Sequence, residues 1–66
     1  MYANLKKELF AQSVTQVELA KYLGIGTNTL AHKMHGKTEF KSSEMFAIRN
    51  KYFPDKSLEY LFKKED

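Results

Sequence analysis

Thr15-Gln16-Val17-Glu18-Leu19-Ala20-Lys21-Tyr22-Leu23-Gly24-Ile25-Gly26-Thr27-Asn28-Thr29-Leu30 is the stretch that decides the fold. A hydroxyl residue followed three positions later by a glutamate is a capping box, so Thr15 and Glu18 predict a helix beginning at Gln16, with Glu18 reaching back to the Thr15 amide. Leu19 and Leu23, four apart, give that helix its apolar face. Gly24 suits the left-handed residue that ends it. A second helix follows from Thr27, with Leu30 and Met34 on its inner side. Two helices that cross steeply through so short a turn need a small residue where their backbones approach, and Ala20 supplies it. Leu19, Leu23, Ile25 and Leu30 then fill the angle between them.

Outward from this pair, the helical spacing continues. Leu5 and Leu9 mark a helix before it, and Met45, Ile48 and Tyr52 one after it. No stretch alternates as a half-buried strand does. Breakers at Ser13-Val14, Gly24 to Gly26, Gly36 and Pro54-Asp55 separate five helices, expected at 3–12, 16–23, 27–35, 43–52 and 58–63. The expected architecture is an all-α, compact five-helix domain over 1–66, with the second and third helices meeting the requirements of a helix-turn-helix.

Length and composition narrow the function classes. The chain has 66 residues, 42% hydrophobic and 14% aromatic, enough for one core and little beyond it. It has no cysteine, which excludes a disulfide scaffold and a thiolate metal site. No apolar run approaches the ~18 residues of a membrane span, and Met1-Tyr2-Ala3-Asn4 lacks the form of a secretion signal, so a cytoplasmic protein is expected. The formal net charge is +3, and all of the excess lies in residues 1–41, where six lysines face three glutamates. That imbalance suits either a solvated lysine surface or a surface that meets phosphate. An enzyme is not expected: there is no glycine-rich phosphate loop, no Cys or His triad, and the carboxylates are scattered.

Residues 15–37 resemble the helix-turn-helix family of phage repressors and Cro proteins, including the xenobiotic-response-element type of bacterial regulator. The resemblance rests on Thr15-Gln16, Leu19-Ala20, Leu23-Gly24-Ile25, Leu30 and Gly36-Lys37. It implies a lambda-repressor-like DNA-binding fold covering nearly the whole chain. Two positions depart from the family pattern. The cap of the third helix is usually Ser or Thr and here is Gly26, a weaker cap. A buried Arg and Glu pair of many relatives corresponds to Leu9 and Met34, an apolar contact that strands no charge.

The third helix divides into Leu30 and Met34 on one side and Asn28, Ala31, His32 and His35 on the other, flanked by Thr27, Thr29 and Lys33. Asn28 has the groups to bond adenine, Thr27 and Thr29 donate or accept, and Ala31 fits against a thymine methyl. The resemblance places base contacts at Thr27, Asn28 and His32, with Thr29 nearby, and a phosphate contact at Gln16. Lys33, Lys37, Thr38 and Lys41 are further phosphate candidates. About four phosphates neutralised per subunit would give a salt slope near −3.6. His32 and His35 lack a third metal ligand, so no metal or other cofactor is expected. Their more useful property is titration near ~6.5, which would add charge on mild acidification.

Near the C-terminus, Leu58 and Leu61 are expected to pack inward and Tyr60 and Phe62 outward. Two readings of that pair stand side by side: a homodimer surface, as the last helix often forms in the family, or closure of the monomer core. The leading expectation is a sequence-specific transcriptional regulator of double-stranded DNA, paired at least on its operator and lacking a small-molecule effector pocket. The alternative is an antitoxin-like or adaptor module that uses the helix-turn-helix as a scaffold for a protein partner.

Overall fold

Three helices end in the same way, and these endings set the path of the chain. The computed structural model describes residues 2–64, which form α1 (Ala3–Ala11), α2 (Gln16–Leu23), α3 (Thr27–Met34), α4 (Ser42–Tyr52) and α5 (Leu58–Leu61), with no strand among them. At the end of α1, the Val14 amide donates to Leu9 O and the Ser13 amide to Phe10 O. After α2, the Ile25 amide donates to Ala20 O and the Gly24 amide to Lys21 O. After α3, the Lys37 amide donates to His32 O and the Gly36 amide to Lys33 O. Each is a Schellman closure with a left-handed residue at its pivot: Ser13 (φ 58°), Gly24 (φ 72°) and Gly36 (φ 84°). Glycine takes this conformation without strain, whereas Ser13 carries the steric cost of a Cβ there.

The starts of the helices are capped more unevenly. Thr15 Oγ1 accepts from the Glu18 amide at 3.1 Å, as the capping box requires. The reciprocal arm differs from expectation, because the Glu18 carboxylate instead accepts from the Tyr52 hydroxyl at 3.4 Å. Gly26 is the N-cap of α3 and offers no side-chain acceptor. At α4 the arrangement is reversed: Lys41 has no acceptor in its side chain, but Glu44 Oε1 accepts from the Lys41 amide at 2.9 Å. Four expected helix ends moved by one or two residues: α1 and α3 stop one residue early, α4 starts one early and α5 stops at Leu61.

One core joins all five helices. Leu5, Leu19, Leu30, Ile48, Phe53 and Leu61 are fully enclosed, and Leu9 and Met34 are buried with them. The two positions expected to replace an ion pair with apolar side chains thus both lie in that core. Ala20 is buried where α2 and α3 pack together. Tyr2, Phe40 and Phe62 stack edge to face with ring centroids 5.3 to 5.9 Å apart, binding the start of the chain, the loop after α3 and the end of α5. The radius of gyration, 10.6 Å, is that of a compact globular chain of this length. No helix among the described residues is long and apolar enough to cross a membrane.

The C-terminal expectation needs correction. Tyr60 and Phe62 do not stand outward as a free pair; both are half-buried. Phe62 belongs to the aromatic trio, the Tyr60 hydroxyl donates to Glu8 at 2.8 Å, and the Tyr60 carbonyl accepts from Asn4 Nδ2 at 2.9 Å. Partners from the other end of the chain hold both side chains partly buried against the core. Leu61 is buried and Leu58 half-buried.

Candidate nucleic-acid interface

The face of α3 follows from its register. Leu30 and Met34 point into the core, so positions one and two residues before Leu30 and two after it turn away from it, and Thr27 is left open to solvent in the first turn of the helix. Thr27, Asn28, Thr29, His32 and His35 are all exposed, and Ala31 is half-buried between them. No side-chain hydrogen bond among the described residues engages Thr27, Asn28, Thr29 or His32. Their donors and acceptors are therefore turned to solvent. The first amides of α3 add donors of their own, because Leu30 is the first residue of the helix whose amide finds a carbonyl within it, at Gly26.

Lys33 is the clearest departure from expectation. It is 7% exposed and turned inward. Its ammonium contacts Glu44 Oε1 at 2.8 Å and Glu39 O at 3.4 Å, and lies 6.0 Å from the centre of the Phe40 ring. A lysine in that position has no free charge to offer a phosphate, so Lys33 is removed from the backbone-contact set. Burial pushes the Glu44 carboxyl upward, but the Lys33 hydrogen bond, the Lys41 amide and the charges of both lysines outweigh it and hold Glu44 below the usual carboxylate range.

The remaining phosphate candidates are accessible. Gln16 opens α2 and is exposed; its own amide and that of Val17 have no acceptor within the helix. Lys37, Thr38 and Lys41 are exposed along the loop from α3 to α4. The structure also brings in Lys6, which the sequence reading left out, beside His35 of the outward face. Lys6 of α1 and His35, the C-cap of α3, line a cleft of about 80 Å³ together with Gln16, Tyr2 and Met34. Lys6 belongs to no motif, and only packing of α1 beside the start of α2 reveals it.

An apolar groove of about 180 Å³, lined by Leu9, Phe10 and Val14, shares Lys6, Gln16 and Met34 with this cleft. Phe10 is 85% exposed there. No group of three His, Asp or Glu side chains among the described residues gathers as metal ligands. Comparison with family models, with characterised proteins and with solved structures finds no match for this chain.

Proposed function

We propose that this chain is a sequence-specific regulator of transcription that binds double-stranded DNA through a helix-turn-helix formed by α2 and α3, in a lambda-repressor-like arrangement. α3 enters the major groove, with Thr27, Asn28, Thr29 and His32 reading base edges. Gln16, Lys37, Thr38 and Lys41 hold the backbone, joined by Lys6 and His35 from the adjoining cleft. The carrying observation is the division of α3: Leu30, Lys33 and Met34 are buried, while Thr27, Asn28, Thr29 and His32 face solvent with no side-chain hydrogen bond among the described residues. Three accessible lysines on this surface correspond to a salt slope of about −2.7 per subunit.

Such a regulator works in the cytoplasm, needs no cofactor and catalyses nothing. It acts through concentration and competition for operators, and pairs on a two-fold site. Selection of bound duplexes from a random pool tests the reading. Wild type should enrich one motif, Asn28→Ala and His32→Ala should each relax it at a different position, and Lys37→Ala should weaken binding without changing it. A pool that shows no enrichment with wild type contradicts the proposal.

One feature favours the second reading, a protein-interaction module. Phe10 is 85% exposed and lines an apolar groove with Leu9, Val14 and Met34. On that reading the polar readers of α3 are idle, and Phe10→Ser would abolish partner capture.

A further inference from the structure

The Lys33 and Glu44 side chains are 9% and 12% exposed, and their contact spans the loop between α3 and α4. Lys33 leaves the inner side of α3, and Glu44 leaves the first turn of α4. A single oxygen, Glu44 Oε1, accepts both the Lys33 ammonium and the Lys41 amide, while the same ammonium reaches Glu39 O. The loop is thereby held at two of its backbone groups by one ion pair. Phe40 adds a third anchor in the aromatic trio, and the Glu39 carboxylate is bound from outside by Lys64 at 2.7 Å.

Buried ion pairs are weak sources of stability, since desolvation offsets most of their attraction, and their best-attested use is to select one arrangement over others. An apolar pair of similar size would fill the space but could not bind Glu39 O or the Lys41 amide. We propose that Lys33 and Glu44 are positioning residues that fix residues 36–41 in one conformation and so aim Lys37, Thr38 and Lys41 at a duplex backbone. The second half of this statement rests on the function proposed above; the first half does not.

The test uses the double variant Lys33→Met/Glu44→Gln, which removes both charges and keeps an acceptor for the Lys41 amide. Hydrogen exchange across residues 37–41 should accelerate at least tenfold while exchange in α2 and the denaturant midpoint stay close to wild type. Duplex affinity should fall about three- to tenfold, with a salt slope shallower by about one. A folded variant with wild-type loop exchange, or with loosened exchange but an unchanged salt slope, overturns the proposal. If the double variant does not fold, Lys33→Leu/Glu44→Gln, which likewise leaves no unpaired buried charge, makes the same comparison. A wild type that ignores every duplex overturns the backbone-aiming half, and loop exchange then still decides whether the pair holds the loop.

Discussion

The Tyr60 hydroxyl donates to the Glu8 carboxylate at 2.8 Å, joining α5 to α1 across a separation of 52 residues. That hydrogen bond, then burial, then the carboxylate charge push the Tyr60 phenol above its usual range. The neutral phenol is therefore favoured in the folded state. Its contribution is complete below the unfolded value of about 10 and is lost as pH rises through the higher folded value. Tyr60→Phe should lower the urea midpoint at pH 8 and reduce the further loss seen on raising the pH above 10. Equal midpoints for the two proteins at pH 8 would show that the bond contributes nothing.

Ser13 and Gly24 offer opposite substitutions at equivalent closures. Both residues are left-handed, yet only Gly24 is free of a Cβ. Ser13→Gly should raise stability by up to about 1 kcal/mol, the relief of left-handed strain exceeding the added freedom of the unfolded chain. Gly24→Ala should cost about 1 kcal/mol by the same reasoning, although an added Cβ meets nothing within 4 Å. Urea denaturation of both variants checks the signs; a destabilised Ser13→Gly would remove the strain argument.

What could be read in the sequence was set by local rules. Thr15 as a cap, Gly24 as a stop and Leu30 as an inward position each depend on neighbours within four residues, so α2, α3 and the outward face of α3 followed from the residues alone. What escaped the reading depends on distant partners. Lys33 borders the apolar stripe of its helix, and its inward turn is decided by Glu44, eleven positions on, and by the backbone of Glu39. Tyr60 and Phe62 turn in because Glu8, Asn4 and Tyr2 await them from the opposite terminus. Lys6 joins the candidate interface for the same kind of reason.

Glu44 makes stability sensitive to acid. Its carboxyl is held below the usual range, so the folded protein takes up that proton later than the unfolded chain does. The benefit is complete above the unfolded value of about 4.3 and disappears as pH falls through the lower folded value. Wild type should therefore lose more stability than Glu44→Gln when the pH is taken from about 5 to 3. Parallel loss in urea midpoints would place the acid sensitivity elsewhere.

The most direct test of the interface is nuclear magnetic resonance of the isotope-labelled protein titrated with duplex DNA of random sequence at low salt, where phosphate attraction alone gives measurable binding. The account predicts shift changes concentrated at the amides of residues 16–17, 27–32 and 37–41, with α5 silent. No shifts, or shifts centred on Phe10 and the apolar groove, would contradict it.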